Sequence, residues 1–426
     1  MRVVPITVVE EVSEGVVAVA LSREFLRSTS IALLVGKGSY ADPLAGCACL
    51  CSRMRLRLTS SIPSFELQKE FDKLGITVNA ATDRDSMLLM AQTPSKKTES
   101  CLNFLAELLS SPCYADSEVD KEKTAQKLEY EKVMQDPMTA SVADSWEATF
   151  PDSPLGHPIT GYPETIDKLN SSMLEEFDAH ARHDAPLIIG IVGPQNEETL
   201  IDYAKSSFGD TETAGHVEDL KLGSRRVFNV LRRDLDTKQT TYSVGIVTSG
   251  VTSSEFPTLL MIEDYLGSGR HYIGILWNEL REKRGLTYFA QSQLNAFRDQ
   301  GVLMAFAGAE PDKVLDGVEL MLDSIVRLRN TPITSKELDD LKIFHKQVMG
   351  VTLEVPSQTA TWLVQNVFRG GKVDFDSYLT GFEAVSPDTI RKAAEGFLKP
   401  SNVAISIAGR PPTEESLKTV LEERIQ

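Results

Sequence analysis

Residues 166–193 read IDKLNSSMLEEFDAHARHDAPLIIGIVG, and residues 382–409 read FEAVSPDTIRKAAEGFLKPSNVAISIAG. Each segment passes through a helix-cap region, an amphipathic helix, a short turn, an apolar strand and a glycine. The copies have equal length, and the offset is 216 residues at both ends (382 − 166 and 409 − 193). Self-similarity at a fixed offset is the mark of a repeated structural unit. The chain is expected to be a duplication.

Working outward, Ser111-Pro112 followed by Glu118 and Lys132-Val133-Met134 parallels Thr331-Pro332 followed by Glu337 and Gln347-Val348-Met349. Upstream, the apolar strand 31–35 parallels 242–247, and the helix 43–56 parallels 256–266. Leu67, Phe71 and Leu74 share one helix face, Gly75 suits the cap that ends it, and Ile76, Val78 and Ala80 alternate as a strand does. A long charged helix is expected over 117–136. The polar, glycine-containing stretch 209–224 reads as a linker. The expected organisation is two α+β domains in tandem, residues 1–210 and 225–426.

The 426 residues, 42% hydrophobic and 25% charged, fit an ordinary globular chain with room for more than one core. A net charge of −17 argues against a nucleic-acid binder and favours basic partners or substrates. No apolar run is long enough for a membrane span. Residues 1–14 (MRVVPITVVEEVSE) hold no signal-peptide core, and their acidic residues disfavour a transit peptide. A cytoplasmic location is favoured, with mitochondrial or periplasmic placement left open if a leader has been removed. The five cysteines, at 47, 49, 51, 101 and 113, do not make a disulfide framework. On a helix Cys47 and Cys51 share a face while Cys49 points elsewhere. Small residues on a packed helix are the expected reading; a metal or redox site is the alternative.

Three blocks carry a family resemblance. The first is Gly46-Cys47-Ala48-Cys49-Leu50-Cys51-Ser52-Arg53-Met54, preceded by Gly36-Lys37-Gly38-Ser39. The second is Leu128-Glu129-Tyr130-Glu131-Lys132-Val133-Met134. The third is Gly267-Ser268-Gly269 followed by Leu280-Arg281-Glu282-Lys283-Arg284-Gly285-Leu286-Thr287-Tyr288. Together they resemble the pitrilysin/insulinase zinc metallopeptidases. The first block matches the G-x-A-H-x-x-E-H-M helix, the second the helix of the third zinc ligand, and the third the L-R-E-x-x-G-L-x-Y signature. The fold this implies is two duplicated LuxS/pitrilysin-type α/β sandwich domains in tandem.

Within the resemblance, Cys49 and Arg53 stand where the two zinc-binding histidines would be, and Ser52 where the general-base glutamate would be. Glu129, 76 residues after Arg53 (129 − 53), stands as the third ligand. An arginine cannot ligate zinc and carries a fixed positive charge. No zinc is expected on this chain, which is expected to be inactive alone. Glu129 is expected to pair with Arg53, because a carboxylate left buried alone is costly; a solvated glutamate is the alternative. His157 and His216 sit in apparent loops, His180 and His183 lack a matching helix pair, and His271 and His345 read as helix residues.

The resemblance implies that Tyr288 helps bind the scissile carbonyl as it becomes an oxyanion, and that Arg281 fixes substrate backbone, in a site completed in trans. A surface arginine and a core tyrosine are the plainer readings. Asn79 and Ala80 resemble the family's substrate edge strand, against a plain core-side strand. The leading expectation is a non-zinc-binding subunit of a heterodimeric zinc metalloendopeptidase. Its partner, an HxxEH-containing paralogue, would hold the zinc, and unfolded peptides would enter a shared chamber. The alternatives are a noncatalytic core subunit of a respiratory ubiquinol–cytochrome c reductase or similar scaffold, and a standalone peptide-binding homodimer.

Overall fold

Each copy of the repeated segment ends in an interior strand of one of two sheets, and that strand is buried from end to end in both copies. A computed structural model describes residues 7–57, 59–60, 62–223, 226–268 and 274–425. The first half of the chain runs β1 (Thr7–Ser13), β2 (Val16–Ser22), β3 (Ser28–Val35), α1 (Cys47–Met54), α2 (Ser64–Leu74), β4 (Thr77–Thr82), β5 (Met87–Pro94), α3 (Thr98–Ser110), α4 (Asp116–Gln135), α5 (Pro137–Thr149), α6 (Pro163–Lys168), α7 (Ser171–His183), β6 (Leu187–Gly193) and α8 (Glu197–Phe208). The second runs β7 (Asn229–Asp234), β8 (Thr240–Ser249), α9 (Phe256–Leu266), α10 (Ile275–Trp277), β9 (Ala290–Ala296), β10 (Gln300–Ala309), α11 (Val314–Asn330), α12 (Ser335–Thr352), α13 (Pro356–Arg369), α14 (Phe375–Thr380), α15 (Pro387–Phe397), β11 (Val403–Gly409) and α16 (Glu414–Arg424).

The duplication is visible in strand order. The first sheet reads β1-β2-β6-β3-β5-β4 and the second β7-β11-β8-β10-β9. Set β1 aside and the second order repeats the first strand for strand. Each sheet has one parallel pair, β2 with β6 and β7 with β11, and the other pairs are antiparallel. The strands β6 and β11 start 216 residues apart (403 − 187). Their sequences, LIIGIVG and VAISIAG, are nearly unbroken apolar runs because both strand faces are covered. The helices before them start at true caps. The Asn170 side chain accepts from the Met173 N–H at 3.0 Å, and Ser386 Oγ accepts from the Thr389 N–H at 3.2 Å.

Contacts divide the chain into two units. The first takes Met1–Tyr130, Ile159–Leu220 and Val351–Phe375; the second takes Glu131–Pro158, Lys221–Gly350 and Asp376–Gln426. In the first unit, α1, α2, α3, α7 and α8 bury one sheet face around Ile31, Leu33, Leu50, Leu102 and Ile189. The other face is covered by α13, through Ala360, Leu363, Val364 and Phe368 against Val19, Leu34, Ile188 and Val192. A Cβ on Gly190 would lie 2.6 Å from Val364 Cγ1, so the glycine sets how close that helix comes.

In the second unit, α9, α11, α15 and α16 pack one sheet face around Val244, Leu303, Leu322 and Ile405. The other face takes α5, by a more polar contact. Ser406, which occupies the Gly190 position of the repeat (190 + 216), donates from Oγ to the Ser141 carbonyl at 2.6 Å. Arg233 grips the buried Asp144 with two bonds of 2.7 Å. Each unit therefore takes the helix on its second face from the opposite half of the sequence.

Helix α1 begins four residues later than the expected 43–56. Gly46 has φ 100°, a backbone that a side chain would strain, and the Asp42 carboxylate before it accepts from the N–H groups of Gly46 and Ala48 at 2.8 and 2.7 Å.

Candidate functional site

Helix α1 commits its inner face to the core. Cys47, Ala48, Leu50, Cys51 and Met54 are buried in the first unit's core. Its start is held by Asp42, whose carboxyl is pushed by burial up to about 7 while three backbone N–H groups pull it back. Gln126 of α4 is fully buried and donates from Nε2 to the carbonyls of Gly46 (3.0 Å) and Thr160 (2.7 Å), joining α4 to the same corner. These anchors present Arg53 toward α4.

There the expected pair is made: Arg53 Nη2 donates to Glu129 Oε2. The other terminal nitrogen, Nη1, lies 3.6 Å from Oε2 of Glu122, and Arg57 Nη2 contacts the second oxygen of the same carboxylate. Glu122 is buried, with 4% of its side chain exposed, against 48% for Glu129. The site is thus a four-charge lattice in which two arginines face two glutamates. Glu122 and Arg57 are the members that sequence reasoning missed. Arg53 and Arg57 are four residues apart and Glu122 and Glu129 seven apart on one face of α4, but only the packing of α1 singles out Glu122 among the acidic residues of that helix.

The other residues of the frame do little chemistry. Ser52 is buried, and its Oγ accepts from Thr82 Oγ1 at 2.9 Å, which ties α1 to the end of β4. Burial pushes the Cys49 thiol up to about 11 against the opposing pull of Arg53, so it is a protonated thiol at neutral pH. Cys47 and Cys51 pack in the core, as small residues on a buried helix do. Among the described residues no group of three or more His, Cys, Asp or Glu side chains is placed to hold a metal ion. The donor set does not fit zinc: a guanidinium lies between the two carboxylates, and Glu129 is engaged by it. His271 and Gly269 lie outside the described residues. His345 is buried in α12, with Nδ1 at 2.6 Å from Asp264 Oδ2 and Nε2 at 3.1 Å from the Tyr378 hydroxyl.

Arg281 and Tyr288 belong to the second unit. Arg281 lies in a π-type turn, Asn278–Glu282, that continues α10, and its guanidinium stacks 3.9 Å above the Trp277 ring. Gly285, with φ 62°, reverses the chain, and the Leu286 N–H returns to the Leu280 carbonyl at 2.8 Å. Thr287 is buried, with Oγ1 accepting from the N–H groups of Phe289 (3.2 Å) and Gly308 (3.3 Å). Tyr288 is 79% exposed and is not a core residue of the unit.

Asn79 and Ala80 lie in β4, at the end of the first sheet. Val78 and Ala80 pack against the core while Asn79 is exposed. The strand is paired only with β5 among the described residues, with Thr82 opposite Met87 and Thr77 opposite Gln92. Its turn is closed by Asp83 N–H donating to the Ser86 carbonyl at 2.8 Å. Facing residues alternate between bonded and non-bonded pairs. Counting back from that bonded pair, Thr77, Asn79 and Ala81 bond to β5. Val78, Ala80 and Thr82 turn their N–H and C=O groups to the open edge.

Comparison with known proteins shows the family. The family model for Insulinase (Peptidase family M16) matches residues 18–162, and that for the Peptidase M16 inactive domain matches residues 168–343. The chain belongs to the insulinase, or M16, peptidase family, with two tandem M16-type domains. It is 25% identical over 343 residues to the uncharacterized zinc protease YmxG of Bacillus subtilis, covering 80% of this chain and 83% of that one. It is 26% identical over 390 residues to the uncharacterized zinc protease Rv2782c of Mycobacterium tuberculosis, covering 88% and 87%. The fold matches a peptidase M16 inactive domain from Pseudomonas fluorescens with a TM-score of 0.85 at 18% identity, over 96% of this chain and 98% of that one. A protease from Helicobacter pylori matches with a TM-score of 0.86 at 17% identity, over 95% and 100%. Among the described residues no helix is long and apolar enough to cross a membrane.

Proposed function

We propose that this chain is a non-zinc-binding subunit of a heterodimeric zinc metalloendopeptidase. In this reading a paralogous partner carries HxxEH and the zinc. This chain supplies Arg281, Tyr288 and half of a chamber that encloses unfolded peptide. The observation that carries the reading is the contrast between its two sites. The chain's own metal frame is closed by the Arg53–Glu129 pair, while Tyr288 is 79% exposed, seven residues past an arginine braced on Trp277. An exposed hydroxyl of this kind is suited to an oxyanion that another chain creates. Substrate would add as a strand along Val78, Ala80 and Thr82. The charge of −17 favours basic peptides.

The test begins with gentle native purification and mass spectrometry of what stays bound. A similar-sized HxxEH protein in about equal amount is the expected result. With that partner, Tyr288→Phe should lower turnover roughly ten- to a thousand-fold while assembly is kept. Unchanged turnover refutes the role of Tyr288 and moves the chain toward a scaffold.

A further inference from the structure

The β4–β5 turn is held from outside its own sheet. Arg369, the last residue of α13, donates from Nε to Asp85 Oδ2 at 2.6 Å and from Nη2 to Asp85 Oδ1 and Asp83 Oδ2, both at 2.8 Å. Its side chain is 13% exposed and that of Asp85 is 7% exposed. Two more contacts fix the same turn. The N–H groups of Ser39 and Tyr40 donate to the carbonyls of Asp83 (3.0 Å) and Arg84 (2.9 Å). Gly38 lies so close that a Cβ there would be 2.4 Å from the Asp83 oxygen. One step along the strand, Thr82 is bonded to Ser52 of α1. The free strand itself has a neighbour on one side only.

An edge strand paired on one side frays unless its ends are held, and a frayed edge must be ordered again by any peptide that docks on it. From this arrangement we infer that Arg369 is a positioning residue for peptide docking: by clamping Asp83 and Asp85 it keeps Val78, Ala80 and Thr82 in one register along the open edge. The inference rests on the edge-docking part of the function proposed above. A forked, planar guanidinium suits this task because it holds two carboxylates at once in fixed directions. A lysine would hold either as a point charge. The clamp comes from residues 351–375, far along the chain from the strand it controls, so the edge is set only when that segment has docked on the first unit's sheet.

The experiment uses the full chain with Arg369→Met and Arg369→Lys. Amide exchange is followed by mass spectrometry over β4 and β6, and a labelled, unstructured basic peptide is titrated by fluorescence anisotropy. Arg369→Met should speed exchange at Thr77, Asn79 and Ala81 by about tenfold or more relative to β6. It should weaken peptide binding by at least about threefold, and Arg369→Lys should recover part of both. Exchange that rises equally in β4 and β6, or not at all, overturns the clamp. A wild-type chain that binds no peptide overturns the edge-docking reading and the purpose assigned to Arg369, even where the exchange result stands.

Discussion

Replacing Arg53 and Arg57 by methionine, singly and together, tests whether the guanidinium lattice holds the place of a metal. The Arg53–Glu129 contact is partly open, with side chains 29% and 48% exposed, and such pairs contribute about 0.2–1 kcal/mol. The contact with Glu122 is longer, 3.6 Å, but it reaches a carboxylate that is 4% exposed. With Arg57 still present that carboxylate keeps a counter-charge, so Arg53→Met should cost about 1–2 kcal/mol in all. Arg57→Met should cost a similar amount, because Arg53 then remains. Together they leave Glu122 buried without a cation, a loss of about 3–5 kcal/mol on top of the exposed pair. The double variant should therefore exceed the sum of the singles by about 1 kcal/mol or more. Denaturant unfolding of the first unit reads this directly. Trp362 lies in that unit, and replacing Trp146 and Trp277 by phenylalanine leaves it as the sole tryptophan of three. Each variant is measured with and without zinc. Additivity within about 0.5 kcal/mol would show that Glu122 is not held jointly. A wild-type unfolding midpoint raised by zinc would refute the replacement of metal by guanidinium.

Two further outcomes are expected. Asp178 is fully buried and accepts from Arg55, itself 2% exposed, and from Arg182 Nε at 2.8 Å; Asp178→Ala should destabilise the first unit by about 3–5 kcal/mol, and a loss under about 1 kcal/mol would mean Arg55 finds another partner. The folded Asp42 carboxyl holds its proton to about pH 7, against 3.8 unperturbed, so folding takes up a proton in between. Stability from this group falls as pH rises across that window and is flat above it. Asp42→Asn should flatten that part of the stability–pH curve, and a curve identical to wild type would mean the carboxylate stays ionised when folded.

The sequence disclosed the fold where a periodic pattern had only one structural outlet. The strands 187–193 and 403–409 are apolar throughout and preceded by capped amphipathic helices, so their offset carried over to the strand starts unchanged. It was silent where tertiary partners decide. Nothing in PMTASVADSWEAT tells that α5 will cover the second sheet, because its face toward that sheet is mostly small and polar residues, a carbonyl and one aspartate rather than a hydrophobic stripe. The β4–β5 turn reads only as polar, and its arginine is 284 residues away from Asp85. Within the candidate site, Cys49, Ser52, Arg53 and Glu129 were placed by the family resemblance, and the expected Arg53–Glu129 pair is made. Glu122 was not placed, because a buried glutamate on a charged helix looks like its solvated neighbours until α1 is placed against it.

The lattice also explains how a peptidase fold can lose its metal frame without losing its shape. A bound cation between α1 and α4 would hold carboxylates of α4 against side chains of α1. Arg53 does the same with a charge that belongs to the chain, needs no ion and stays protonated at any physiological pH. The contact between helices is made without a metal ligand. Ser52 accepts from Thr82 at the end of the edge strand, the same end that Arg369 holds through Asp83 and Asp85. Ser52 and Arg369 thus hold the same end of β4 from two sides of the sequence. The local substitutions and the distant clamp converge on one element, which is the expected economy if what the chain keeps is a surface for peptide and not a reaction of its own.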